Sequence, residues 1–194
     1  MADNEAHRIT EPKELRALSH PTRWAIIELL GLEDTATATR CAEHTGESVA
    51  SCSYHLGMLA KYGFVEQAAG GTGREKPWKL LRRHQQWGYD ADAEPDPETE
   101  LAAEALNEVY LDHTVSSMKG YLRRESREPA EWRAVAGSWA STCYLTAAEV
   151  GELNAAFAAL VEPYQVRNDD PTLRPEGSRP VRLFNSAWMP IPPN

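Results

Sequence analysis

The chain has 194 residues, of which 42% are hydrophobic and 25% charged, and its formal net charge is −9. A chain of this length can bury a core without disulfide staples, and its composition excludes collagen-like, low-complexity and wholly disordered proteins. The longest uncharged stretch, residues 134–148, is too short and too rich in Ser, Thr and Gly to span a bilayer, and the first ten residues carry Asp3, Glu5 and Arg8 where a secretory signal would be apolar. A cytoplasmic protein with no membrane contact is expected. Cys41, Cys52 and Cys143 form neither a disulfide framework nor a C-x-x-C pair, so reduced thiols are expected.

The acid is unevenly placed. Residues 1–90 carry 11 Lys+Arg against 12 Asp+Glu, while residues 91–194 carry 9 against 17. Residues 60–84 form a basic patch (Lys61, Arg74, Lys76, Lys79, Arg82 and Arg83 against Glu66 and Glu75), whereas residues 92–112 hold eight acids and no base. The run Asp90-Ala-Asp-Ala-Glu-Pro-Asp-Pro reads as a linker, because two prolines forbid a continuous helix. It divides the chain into two expected domains, over residues 1–94 and residues 95–194.

In chain order, Thr10 caps a predicted helix over residues 11–18, and a second starts at Pro21 behind Ser19 or His20 and ends at Gly31. Thr37 caps a third over residues 38–44, which Gly46 stops. Ser48 caps a fourth over residues 49–61, which Gly63 closes. In this fourth helix Val49, Cys52, Leu56 and Leu59 recur at steps of three and four and predict the buried side. The other side presents Ala50, Ser51, Tyr54, Gly57, Met58 and Lys61, with His55 at its margin. Its small residues allow close approach to base edges, and its hydroxyls and terminal cation suit phosphates; an ordinary solvated helix face has the same periodicity. Residues 64–67 and 77–81 then read as two strands, with Arg74 and Lys76 on the tip between them. A basic hairpin after a helix-turn-helix has the form of a wing whose cations reach the DNA backbone, the alternative being a hairpin with solvated charges.

Leu18-Ser-His-Pro-Thr-Arg with Ile26-Ile-Glu-Leu-Leu, then Ser53-Tyr-His-Leu-Gly-Met-Leu-Ala-Lys-Tyr-Gly-Phe-Val and Gly73-Arg-Glu-Lys-Pro-Trp, resemble ArsR-type winged-helix transcriptional regulators over residues 11–85. The resemblance implies a dimeric repressor that releases DNA when an effector binds. It places a recognition helix at residues 48–61, with Ser51, Ser53, Tyr54 and His55 as foremost contacts, and a wing at Thr72, Gly73, Arg74 and Lys76. Ser48, Ala50 and Lys61 complete the expected DNA-binding set. The sequence departs from the family's metal sensors: where they carry Cys-Val-Cys, this chain reads Thr39-Arg-Cys-Ala-Glu-His, and one Cys with His44 is a poor soft-metal site. Asp112 and His113 resemble half of a second metal site, but the matching ligands are missing and His113 is expected in a dimer seam. No metal and no cofactor are expected.

Residues 97–125 predict a long amphipathic helix with Ala102, Leu106, Val109, Tyr110, His113, Ser117 and Tyr121 on its apolar side. At ~1.5 Å per residue it extends on the order of 40 Å, which suits a homodimer seam; the alternative is packing across its own domain. Residues 128–133 suggest a helical turn. Residues 138–145 alternate as a strand does, Thr146-Ala-Ala-Glu is a capping box for a helix burying Val150, Leu153, Phe157, Leu160, Val161 and Tyr164, and residues 181–189 read as a last strand after a polar loop over 167–178. Trp87, Trp132, Trp139, Tyr144, Phe184 and Trp188 are candidates for an effector pocket or for plain core.

The fold expected is thus α+β and mainly helical, with an N-terminal winged helix-turn-helix, a long dimerisation helix and a small C-terminal α/β element. No G-x-S-x-G, H-E-x-x-H, P-loop or Rossmann pattern is present, so an enzyme is not expected. The expected partners are double-stranded DNA with a near-palindromic operator, a second copy and a small-molecule effector. A winged-helix protein-interaction module and a small-molecule-binding protein with an accessory winged helix are the alternatives.

Overall fold

A computed structural model describes residues 8–70, 76–81, 86–87 and 96–190. The chain divides into two compact units, Met1–Val135 and Ala136–Asn194. In the first, β1 (Arg8–Ile9) leads into α1 (Pro12–Leu18), α2 (Pro21–Glu33), α3 (Ala38–Thr45) and α4 (Val49–Lys61). Short strands β2 (Val65–Gln67), β3 (Trp78–Leu80) and β4 (Gln86–Trp87) follow, then α5 (Pro97–Leu122) and the one-turn α6 (Ala130–Arg133). The unit is mainly helical, with β2 and β3 forming a small antiparallel pair in the register Val65 with Leu80 and Gln67 with Trp78. β1 and β4 pair in parallel over two residues.

The helix starts follow local chemistry. The His20 ring caps α2 by accepting from the Thr22 N–H, with Pro21 at the first helical position where its missing N–H costs nothing. α1 is preceded by Glu11 in the cap position, not Thr10, and no side chain bonds its first turn. Gly31 does not end α2, which continues to Glu33; a lone glycine lowers helix propensity by only about 1 kcal/mol, which packing overrides. Leu15, Leu18, Ile26, Leu29, Leu30, Cys41, Cys52, Leu56, Leu59, Val65 and Leu106 are fully buried and draw α1 to α5 and β2 into one core.

The 26-residue α5 begins at Asp96, whose carboxylate accepts from the Glu98 and Thr99 N–H groups at 2.8 and 3.0 Å. It buries Ala102, Ala103 and Leu106, with Val109 and Tyr110 packed on the same core, and it lies against α1 and α2. Part of the apolar stripe expected at a dimer seam therefore serves the helix's own domain. Leu111, Val115, Met118 and Leu122, at steps of four, three and four, remain exposed on another side of the helix.

In the second unit α7 (Ala147–Asp169) starts at the expected capping box, with Thr146 Oγ1 accepting from the Glu149 N–H and the Glu149 carboxylate accepting from the Thr146 N–H at 2.7 Å. It runs through Pro163 and takes in residues 167–169, expected as loop. Residues 138–145 and 181–189 are not strands: an alternating pattern becomes a strand only with a partner to complete its hydrogen-bond ladder, and these segments have none among the described residues. The stripe expected to be buried on α7 is open, with Leu153 at 56% and Leu160 at 72% exposure.

Candidate nucleic-acid interface

α3 and α4 are joined by a turn that the sequence specifies closely. Thr37 Oγ1 accepts from the Arg40 N–H at 3.2 Å, Gly46 ends α3 at φ +76, and Ser48 Oγ accepts from the Ser51 N–H at 3.1 Å to start α4. Glycine takes that left-handed backbone without steric penalty. Thr45 Oγ1 donates to the Cys41 carbonyl at 2.8 Å and lies 3.4 Å from Cys52 Sγ, tying the turn to the two buried cysteines of α3 and α4. Each N-cap is worth about 1 kcal/mol, and together they fix the angle at which α4 leaves the turn.

Cys52, His55, Leu56 and Leu59 are buried on α4, at the i, i+3, i+4, i+7 spacing of one helical stripe. Two expectations are corrected by that stripe. His55 is 7% exposed and lies inside it, its ring centroid 4.4 Å from that of His20; Val49, expected inside, is 45% exposed at the first turn. Of the other expected contacts on this helix, Ser48, Ala50, Ser53, Tyr54 and Lys61 are exposed and Ser51 is half-buried. The exposed surface of α4 carries no acidic side chain, and Tyr54, at 64%, is its most exposed large hydrophobic residue.

Ser53 and Lys76 line one groove of about 260 Å³ with Ala38, Thr39, Val49, Gln67 and Trp78, where α3, α4 and the β2–β3 pair meet. Lys76 is exposed; Thr72, Gly73 and Arg74 lie outside the described residues. Nearby charges are partly committed: Arg40 binds Glu33 through its Nε at 3.0 Å and also reaches Glu43, and Lys79 pairs with Glu66 at 3.0 Å. The Glu33 bond holds the Arg40 guanidinium above its ordinary pKa and the Glu33 carboxyl below its own.

His20 and Arg23, on the first turn of α2, were not among the expected contacts, although both fall in the Leu18–Arg23 motif. Burial lowers the pKa of both imidazoles, Arg23 lowers both further, His20 also lowers His55, and Glu47 opposes these effects.

The aromatic side chains proposed for an effector pocket are placed in both units. Trp87 packs on Trp24 and Tyr110, its Nε1 donating to Asn107 Oδ1 at 2.8 Å, and Trp132 is half-buried in α6. Trp139, Tyr144 and Trp188 are exposed at 89%, 106% and 77%, and Phe184 at 41%. His113, expected in a dimer seam, instead joins α5 to α2 within the chain, its Nε2 2.7 Å from Glu28 Oε2. No group of three or more His, Cys, Asp or Glu able to hold a metal ion occurs among the described residues, and no described helix is long and apolar enough to cross a membrane.

No curated protein sequence matches this chain at a significant level. Two solved structures of a double mutant of ZitR from Lactococcus lactis are similar to it, each at 18% identity. One covers 75% of both chains with a TM-score of 0.32, and the other, in apo form, covers 75% of this chain and 83% of ZitR with a TM-score of 0.33. Residues 18–68, the stretch that holds α2, α3, α4 and β2, match the family model of a helix-turn-helix domain.

Proposed function

We propose that the protein is a sequence-specific, ArsR-like winged-helix transcriptional regulator that binds a near-palindromic operator as a homodimer and acts as a repressor released by a small-molecule effector. The observation that carries the DNA-binding reading is α4: it sits in the helix-turn-helix match, is capped by Ser48, and turns an acid-free surface of Ala50, Ser53, Tyr54 and Lys61 to solvent. Small residues at the start of a helix admit it to a major groove, and Ser53 shares its groove with Lys76, a cation suited to the flanking backbone. In this reading residues 1–94 contact the duplex and residues 95–194 dimerise and sense. Leu111, Val115, Met118 and Leu122 of α5 supply an apolar seam. A twofold dimer reads half-sites about 10 base pairs apart or a multiple of that.

The test is fluorescence anisotropy with duplex DNA from upstream of the protein's own gene and with random duplex, at two salt concentrations. Tight binding to the upstream DNA that weakens with salt, by roughly 0.9 log units per phosphate contact per log unit of salt, is expected. Equal or absent binding to both duplexes would overturn the reading. Effectors are then sought by release of the labelled DNA.

A further inference from the structure

The basic side chains of the first unit are not all treated alike. Arg16 holds Glu98 at 2.7 Å, Arg40 holds Glu33, and Lys79 holds Glu66. Arg23 is half-buried on the first turn of α2, its Nε is shielded from solvent, and neither a hydrogen-bond partner for that nitrogen nor a carboxylate ion pair is present among the described residues. A guanidinium drawn partly out of water without a counter-ion is costly, and burial accordingly lowers its pKa. A run of rings joins the start of α2 to α4: His20, three residues before Arg23, lies 4.4 Å from His55, and His55 meets the edge of Tyr54 at 5.4 Å. The start of α2 therefore packs on α4 next to Tyr54, which is itself 64% exposed on the surface α4 turns outward. A guanidinium and a phenol O–H from adjoining elements are two donors of the kind a phosphodiester accepts.

We propose that Arg23 and Tyr54 together hold one backbone phosphate of the bound duplex, beside and separate from the groove lined by Ser53 and Lys76. The proposal rests on the DNA-binding reading above and adds to it a positioning contact from α2. It also gives Tyr54 a part in setting register on the duplex, which carries no sequence information of its own. The incoming phosphate supplies a counter-ion that no described residue gives Arg23.

The full-length protein is titrated with upstream and random duplex over a range of salt, alongside Arg23→Ala, Arg23→Gln, Arg23→Lys and Tyr54→Phe, with a thermal melt for each. Arg23→Ala and Arg23→Gln are expected to weaken both duplexes alike, by about tenfold, and to flatten the log–log salt slope by about 0.9, the value of one phosphate contact. Arg23→Lys retains the slope. Tyr54→Phe weakens both duplexes alike with the slope unchanged, since it removes a neutral donor. Arg23→Gln keeps the side chain's bulk and remains decisive if Arg23→Ala does not fold. A wild-type salt slope in either folded neutral variant overturns the proposal while leaving the DNA-binding reading intact. Loss of sequence preference in Tyr54→Phe at unchanged random-duplex affinity also overturns it, because Tyr54 would then be reading a base. Absence of salt-dependent binding by the wild type removes the DNA-binding reading itself and this contact with it.

Discussion

Cys41 and Cys52 have no exposed surface, and burial pushes the Cys41 thiol up to about 11, with Cys52 adding to the shift. The thiolate is the reactive form, so a thiol with that pKa in a closed core is inert, while Cys143 is exposed. The folded protein is expected to release one equivalent of chromophore rapidly from an aromatic disulfide reagent at pH 8, and the other two only on unfolding. Rapid reaction of all three would show that α3 and α4 open readily. The histidines give a second expectation at this scale. His20 and His55 both have folded pKa values below 6.5, chiefly through burial, and Arg23 acts on both in the same direction. The unfolded chain therefore binds more protons than the folded one as pH falls below 6.5, so the stability these residues contribute is complete above that pH and is lost as pH drops toward their folded values. Protonation of His20 at Nδ1 also removes the acceptor that caps α2. The melting temperature is expected to fall between pH 7 and pH 5.5, and His20→Asn, which keeps a capping acceptor, should reduce that fall. A melting temperature constant over this interval would contradict it. The carboxyls held low, Glu33, Asp96, Glu149 and Asp170, lose their contributions in a more acidic range and do not obscure the effect.

At the scale of elements, what could be read from the sequence was what local chemistry decides. Thr37, Ser48 and Thr146 each cap their own helix within three residues, and Gly46 accepts a left-handed backbone, so α3, the start of α4 and the start of α7 stand where the sequence puts them. What depended on distant partners was not legible. The two-residue pairs of β1 with β4 have no pattern long enough to recognise, and the alternation over residues 138–145 finds no strand to pair with among the described residues. His55 differs for a related reason: spacing admits it to either side of α4, and in the fold it packs on the ring of His20. On α5, heptad-like spacing marks an apolar stripe without saying what meets it; Leu106 goes to the chain's own core while Leu111, Val115, Met118 and Leu122 stay exposed. If that second stripe is the homodimer seam, a charge placed in it is left buried and unpaired in the dimer but is harmless in a monomer. Met118→Glu is expected to convert a dimer to a monomer in sedimentation velocity with its melting curve at low concentration unchanged. A variant that still sediments as the wild type does would place the seam elsewhere.

For the molecule as a whole, the two units differ in kind. The first closes a core from α1 to α5, whereas no described residue between 136 and 190 is buried. The helix that dominates the second unit leaves Leu153, Leu160 and Tyr164 more than half exposed and carries Gly151 and Pro163 in its interior, and Pro163 alone costs about 3 kcal/mol of helix propensity. An isolated helix of this kind is marginal in water, and a unit of this size has little apolar area with which to offset the entropy of ordering its backbone. The capping box and the bond from Asn185 Nδ2 to Asn154 Oδ1 at 3.0 Å contribute locally, but exposed polar contacts of that sort add on the order of 1 kcal/mol each. A peptide of residues 136–194 is therefore expected to show little helix by circular dichroism at micromolar concentration, and no cooperative thermal transition. A concentration-independent cooperative melt would show a self-sufficient domain and contradict the argument. Helix that appears only as the peptide concentration rises would instead identify a second copy as a surface able to cover α7, joining this unit to the dimer proposed for α5.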